Sequence, residues 1–140
     1  MEIKVGVVGA TGYAGAELVR LLLNHPYAKL TAISSVTFEG QKISEVYPSY
    51  LGLCDMVCKT QEEVVEKCDV VFAALPHGLS QELAAACAKR MKFFIDLGAD
   101  FRLEDEETYK TWYGCEFLDK ALHEQAVYGL PELFRPFIRG

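Results

Sequence analysis

The stretch that decides the fold is Ile3-Lys4-Val5-Gly6-Val7-Val8-Gly9-Ala10-Thr11-Gly12-Tyr13-Ala14-Gly15. Its first part, residues 3–8, is short, nearly all apolar and rich in β-branched side chains, which is typical of a strand covered on both faces. The glycines follow, and then apolar residues recur at helical spacing over 18–23 until Pro26 ends the run. The sequence therefore predicts a strand, a glycine-rich turn and a helix over about residues 14–24.

Strand and helix alternate along the rest of the chain. Apolar runs predict further strands at 30–34, 56–58, 69–75 and 93–97. Amphipathic runs predict helices at 61–67 and 79–90, the acidic run 104–107 predicts a helix start, and 36–53 is interpreted as a long loop with one helical turn. Alternation of this kind requires right-handed crossovers. We predict an α/β fold with one domain over 1–140, a doubly wound and mostly parallel sheet of the Rossmann type.

The glycine-rich turn indicates a site for a dinucleotide. Gly9 permits a tight turn, Gly12 lets main-chain amides approach a pyrophosphate, and Gly15 lets the helix pack closely. The helix N-terminus offers free N–H groups and a positive partial charge to the anion. The spacing is G-x-x-G-x-x-G rather than G-x-G-x-x-G, so a purely structural turn is the alternative. A Walker motif is excluded because no Gly-Lys-Ser/Thr follows.

Ligands of an open parallel sheet bind beyond the carboxyl ends of its strands. The predicted cofactor contacts are Gly9, Thr11, Gly12, Tyr13, Ala14, Gly15, Ser34, Ser35, Leu75, Pro76 and His77. His77 is either an acid–base catalyst or, as we favour, part of the cleft wall, because no orienting partner is identifiable. Asp96 and Asp100 are expected to cap turns rather than to act as paired catalytic carboxylates, and His123 to lie on the surface.

The cofactor is predicted from the end of the second strand. An NAD site usually places an acidic residue there, about 20 residues past the turn, whereas here Ser34-Ser35-Val36-Thr37 precedes the first acid, Glu39. NADP(H) is therefore favoured over NAD(H), with Lys42 as a candidate cation, although the serines could simply form a turn. Arg102 is the candidate substrate-binding residue, gripping a carboxylate or phosphate. Its alternative is a salt bridge to Glu104 or Asp105.

Composition narrows the class of protein. Twenty acidic against fourteen basic residues give a net charge of −6, which argues against a nucleic-acid or membrane-surface binder. The start lacks a signal-peptide layout, and the five cysteines are odd in number without a Cys-x-x-Cys pair. We expect a cytoplasmic protein with reduced thiols and no metal site, whose partner is a small-molecule nucleotide. The oligomeric state stays open, and a homo-oligomer is compatible with the sequence.

Five blocks carry a resemblance to a known family. They are 9–18, Ala74-Leu75-Pro76-His77-Gly78, Asp96-Leu97-Gly98-Ala99-Asp100-Phe101-Arg102, Trp112-Tyr113-Gly114 and Val127-Tyr128-Gly129-Leu130-Pro131-Glu132-Leu133. In this order they resemble the N-terminal part of N-acetyl-γ-glutamyl-phosphate reductase, an NADPH-dependent enzyme of arginine biosynthesis. The resemblance runs nearly from end to end. It also separates the chain from the related aspartate-semialdehyde dehydrogenases.

The resemblance implies a reaction and a missing part. The family reduces an acyl phosphate to an aldehyde through a cysteine thioester. Its nucleophile lies in an Asn-Pro-Gly-Cys-Tyr segment, which is expected beyond Gly140. No catalytic residue is therefore assigned in this chain, and Cys115 is not proposed as the nucleophile. Val36 departs from an arginine of several relatives. Residues 135–140 also depart from the family pattern, so this tail is expected to be fragmentary or disordered. We expect a cofactor-binding portion that is inactive alone; the alternative is a stand-alone NAD(P)-binding module without catalysis.

Overall fold

The computed structural model describes residues 2–139, which form a five-stranded, all-parallel sheet. The strands are β1 Ile3–Val8, β2 Ala28–Ser34, β3 Cys58–Lys59, β4 Val70–Ala73 and β5 Phe93–Asp96, in the spatial order β3-β2-β1-β4-β5. The helices are α1 Tyr13–Leu23, α2 Ile43–Val46, α3 Gln61–Lys67, α4 Ser80–Lys89, α5 Glu106–Tyr113, α6 Lys120–Gln125 and α7 Pro131–Arg139, with a 3-10 helix at Pro48–Tyr50. The predicted fold class is confirmed.

Two apolar layers lie on the two faces of the sheet. On one face, Val7 and Ile33 pack with Val19 of α1 and Ile43 of α2. On the opposite face, a second buried cluster joins the sheet to α3 and α4; it includes Val8, Val71, Val64, Leu83 and Cys87. The order of the strands reverses between β1 and β4, where the chain passes from one face to the other. This is the position at which doubly wound sheets bind their ligands.

Several predicted strand boundaries differ from the structure: β2 begins two residues earlier, at Ala28, and β5 ends one residue earlier, at Asp96. The differences at β3 and β4 have identifiable causes. Val57 forms an antiparallel bridge with Lys42, and the Met56 carbonyl accepts the N–H of Ile43, so these residues pair with the loop and the parallel strand begins only at Cys58. β4 ends at Ala73, two residues before the predicted boundary, because the chain then turns toward Pro76, which has no N–H to donate.

The C-terminal residues differ from the prediction made from the sequence. Residues 131–139 form α7, with Pro136 inside the helix, so the disorder expected over 135–140 is wrong for 135–139. Gly140 lies outside the described residues. All five cysteines are free thiols in the structure. Burial raises the pKa of the thiols of Cys58 and Cys68, and that of Cys87 to about 11.

Between residues 2 and 139, no helix is both long enough and apolar enough to cross a bilayer.

Candidate functional site

The glycine turn joins the carboxyl ends of three neighbouring strands. Gly9 has a φ of +82°, and a Cβ there would collide with the carbonyl of Ala74 just beyond β4. The N–H groups of Gly9 and Ala10 donate to the Ser34 carbonyl at 3.1 and 2.9 Å. The turn is therefore fastened to the end of β2 and pressed against β4, which explains why only glycine fits at its first position.

The other two glycines occupy opposite environments. A Cβ on Gly15 would collide with the Gly9 carbonyl and would lie 2.9 Å from the Cα of Ala10, so α1 approaches the turn more closely than any side chain allows. A Cβ on Gly12 would meet only the Gly9 oxygen at 3.5 Å, an ordinary contact. The tight-turn and close-packing interpretations of Gly9 and Gly15 are confirmed, and the space in front of Gly12 is open.

The N-terminus of α1 has main-chain donors without acceptors. Gly12 is the N-cap, no side chain caps the helix, and no acidic residue lies in its first turn. Within the described part of the chain, the N–H groups of Tyr13, Ala14 and Gly15 have no hydrogen-bond partner. By contrast, the side chains of Thr60, Asp105 and Asp119 cap α3, α5 and α6. The start of α1 thus has the vacant donors and the positive dipole end that an anionic ligand requires.

The end of β2 lies beside this turn. Ser35 Oγ is 2.6 Å from Thr11 Oγ1 and also accepts the Phe38 N–H, so the two predicted cofactor-binding hydroxyls engage each other. Ser34 is buried, and its hydroxyl finds no partner among residues 2–139. Val36 is 82 % exposed. Ser34 and Ser35 flank the turn, and their contacts with a cofactor stay a prediction.

A buried carboxylate organises the loops after β4 and β5. Asp100 is fully buried and accepts hydrogen bonds from the Gly78 N–H at 2.5 Å, the Ser80 N–H at 2.8 Å and the Tyr109 hydroxyl at 2.8 Å. Burial, together with this hydrogen bond, raises the pKa of Tyr109, so the phenol stays a donor. The bonds to Gly78 and Ser80 place the loop that carries Pro76 and His77 at the site.

Asp96 also accepts hydrogen bonds in this region, but fewer than Asp100. Its Oδ1 accepts the Ser80 hydroxyl at 2.9 Å and the Gly98 N–H at 2.8 Å. Burial raises the pKa of Asp96, which these two hydrogen bonds partly counteract. Asp96 and Asp100 therefore cap turns, as predicted. What the sequence interpretation missed is that Asp100 links three segments of the chain.

The exposed rim of this region carries polar and aromatic side chains. His77 is exposed, its ring centroid lies 5.6 Å from that of Tyr113, and its ring has no hydrogen bond within the described chain. Arg102 donates to the Tyr113 hydroxyl at 3.1 Å and lies 5.9 Å from the ring centroid of Tyr128. No ion pair joins Arg102 to Glu104 or Asp105 in residues 2–139, so that alternative is wrong. The substrate-binding assignment of Arg102 stays a prediction.

His123 does not lie free on the surface, contrary to expectation. Its ring stacks on Phe117 with centroids 3.6 Å apart, and its Nε2 lies 3.2 Å from Gln81 Oε1. Burial lowers the pKa of His123. Its contacts join α6 to α4, so the His123 side chain stabilises the packing of these helices.

No cluster of three or more potential metal ligands occurs in the part of the chain that the structure describes.

Comparison with known proteins identifies the group to which the chain is similar. Residues 4–140 match the family described as semialdehyde dehydrogenase, NAD binding domain. N-acetyl-gamma-glutamyl-phosphate reductase of Clostridium beijerinckii is 52 % identical over 98 % of this chain, and that of Brachyspira hyodysenteriae is 51 % identical over 95 %. These matches cover 40 % and 38 % of the two relatives, so the chain spans about two fifths of their length.

Solved structures agree on the fold. Aspartate semialdehyde dehydrogenase with NADP from Candida albicans superimposes with a TM-score of 0.64 over 76 % of this chain and 32 % of that one, at 23 % identity. Scyllo-inositol dehydrogenase from Lactobacillus casei, with bound NAD(H), gives 0.56 over 84 % and 35 %, at 21 % identity. The sequence matches confirm the predicted resemblance, and the chain belongs to the family of semialdehyde dehydrogenase NAD-binding domains.

Proposed function

We propose that this chain is the cofactor-binding portion of an N-acetyl-γ-glutamyl-phosphate reductase and that it binds NADP(H). One observation carries the proposal, namely the uncapped start of α1, where the N–H groups of Tyr13, Ala14 and Gly15 point to no acceptor in the described chain. A pyrophosphate satisfies these donors and lies where a side chain on Gly12 would stand. The relatives' names and the 52 % identity support the choice of enzyme.

The residues of this chain bind the cofactor and orient the cofactor and the substrate. The nucleophile belongs to another part of the enzyme. A bound nicotinamide cofactor supplies hydride to the acyl group of the substrate. The loop at Pro76 and His77, held by Asp100, forms the wall of the cofactor cleft. Arg102, steadied by the Tyr113 hydroxyl, presents its guanidinium to a carboxylate or phosphate of the substrate. None of the five cysteines of this chain stands in the Asn-Pro-Gly-Cys-Tyr segment that carries the nucleophile of the family.

The purified chain is expected to bind cofactor without turning over substrate. Titration with NADPH, followed by nucleotide fluorescence, should give a saturable signal because the glycine turn is complete within residues 9–15. No phosphate-dependent oxidation of N-acetylglutamate semialdehyde should be measurable, because the nucleophile is absent. Turnover above a no-enzyme control would contradict the assignment of this chain as a binding portion, and a flat titration would contradict cofactor binding itself.

The preference for NADP(H) is expected to respond to the side chain at position 36. Val36 is 82 % exposed and follows the two serines at the end of β2, where no carboxylate repels a 2′-phosphate. Val36→Arg should tighten NADPH binding about tenfold through a charge-assisted pair and change NADH binding less than about twofold. Val36→Gln, of similar length but neutral, is the control. Equal effects of Val36→Arg on both nucleotides would show that the 2′-phosphate lies elsewhere.

A further inference from the structure

The segment that follows β2 carries no positive charge. Residues 35–41 contain no lysine and no arginine, and Glu39 is the one charged side chain among them. The 2′-phosphate that distinguishes NADP(H) from NAD(H) is bound near the end of the second strand in dinucleotide-binding sheets, and it is best held by a charged donor. An NADP(H) site in this chain therefore needs a cation from a neighbouring segment.

Strand β3 brings Lys59 to this edge of the sheet. β3 runs parallel to β2, and Lys59 is in register with Ser34, the last residue of β2. Neighbouring strands lie about 4.8 Å apart, so the main chain of Lys59 stands directly beside the end of β2. The Lys59 side chain is 43 % exposed and carries its ammonium on a flexible four-carbon stem. The ammonium can therefore reach beyond the carboxyl ends of the strands, where ligands of parallel sheets bind.

Lys42 follows β2 more closely in sequence but lies farther from this edge. After β2 the chain turns and runs back beside β3, so that Lys42 forms an antiparallel bridge with Val57. The Cys58 N–H donates to the Gln41 carbonyl at 2.8 Å and fixes this pairing. Lys42 thus stands opposite a residue two positions before Lys59, which places its main chain about 7 Å back from the carboxyl end of β3.

The ion pair that engages Lys59 within residues 2–139 is weak. Lys59 Nζ lies 4.0 Å from Glu63 Oε1, and Lys67 Nζ lies at the same distance from that oxygen. Glu63 is itself held at the start of α3, where its Oε2 accepts the Thr60 N–H at 3.2 Å in a capping box. An exposed pair of this length binds an ammonium weakly. Lys59 can therefore turn to a phosphate while the cap of α3 stays intact.

We propose that Lys59 binds the 2′-phosphate of NADP(H) and thereby sets the preference of this chain for NADP(H) over NAD(H). This inference rests on the proposed function, because it takes the pyrophosphate to lie at the start of α1. The N–H groups of Gly9 and Ala10 fasten that turn to the end of β2, so the adenosine half of the dinucleotide extends along the ends of β2 and β3. NAD(H) offers only a neutral hydroxyl at the same place.

Titration of Lys59→Gln with both nucleotides tests the proposal. NADPH binding, followed by nucleotide fluorescence, should weaken about tenfold because a charge-assisted pair is lost, and NADH binding should change less than about twofold. Lys67→Gln is the matched control, since it removes the other ion pair of Glu63 from the last residue of α3 and should leave both affinities at the wild-type value. Thermal denaturation checks that both variants are folded.

A second substitution in the same background separates phosphate binding from a structural role. Val36→Arg combined with Lys59→Gln should restore most of the lost NADPH affinity, because a new guanidinium at the end of β2 would act on the same phosphate. Loss of affinity through a disturbed fold would not be recovered in this way. A double variant that binds NADPH no better than Lys59→Gln alone would overturn the assignment of Lys59 to the phosphate.

The remaining outcomes separate this inference from the proposed function. If wild type prefers NADPH and Lys59→Gln keeps that preference, only the inference is wrong. If the preference is lost in Lys42→Gln instead, the cation is Lys42 and the inference is likewise overturned. A wild-type chain that binds both nucleotides equally, or neither of them, would overturn the proposed cofactor together with this inference.

Discussion

Gly12→Asp is expected to weaken NADPH binding by at least about a hundredfold while leaving the fold as stable as before or slightly more stable. Gly12 is the N-cap of α1 with an extended backbone, φ −73° and ψ 165°, which aspartate adopts readily. The new carboxylate would accept the vacant N–H groups of the first turn and favour the helix dipole. It would thereby occupy the donors that the pyrophosphate needs and repel its charge. Calorimetric titration and urea denaturation measure the two effects separately.

The same charge at the other end of α1 is the matched control. Asn24 is the C-cap, so Asn24→Asp should lower the free energy of unfolding by about 0.5 kcal/mol, through the opposite end of the dipole, and leave NADPH affinity unchanged. Gly15→Ala tests packing instead of charge. Its methyl would collide with main-chain atoms of Gly9, so the fold itself should lose about 2 kcal/mol. A Gly12→Asp variant that binds NADPH normally would mean that the phosphate lies away from α1.

The sequence predicted the sheet because its strands are short buried runs separated by helices of clear periodicity. Residues 3–8 and 61–67 match β1 and α3 at both ends. The failed boundary of β3 depends on pairing between distant segments. Nothing local distinguishes Val57, which bridges antiparallel to Lys42, from Cys58, which pairs parallel with Ile33. Such choices are made by the tertiary structure and not by propensity.

For the candidate site, too, the sequence predicted local features but not contacts between distant residues. The meaning of Gly9 and Gly15 follows from their order between a strand and a helix, because each glycine serves a local geometric need. The importance of Asp100 does not follow, since its hydrogen-bond donors lie 22, 20 and 9 residues away along the chain. Likewise, Arg102 has acidic neighbours in sequence but bonds to Tyr113 in space. Spatial partners of this kind leave no periodic signal.

Asp100→Asn is the second variant with a large expected effect. An amide would keep one acceptor oxygen but would turn an NH₂ group toward either the Ser80 N–H or the pair formed by the Gly78 N–H and the Tyr109 hydroxyl. A buried donor would then face another donor, and we expect the free energy of unfolding to fall by about 3 kcal/mol. Tyr109→Phe removes a single bond of the same network and should cost about 1 kcal/mol.

The effect on cofactor binding distinguishes a positioning residue from a merely structural one. Because Asp100 holds the loop with Pro76 and His77, Asp100→Asn should also weaken NADPH binding about tenfold under conditions where the variant is fully folded. Asp105→Asn is the control, since this exposed carboxylate caps α5 through Thr108 and asparagine caps equally well. It should change neither quantity by more than about 0.5 kcal/mol. If Asp100→Asn lowers stability but leaves NADPH affinity at the wild-type value, the loop after β4 does not form the wall of the cofactor cleft.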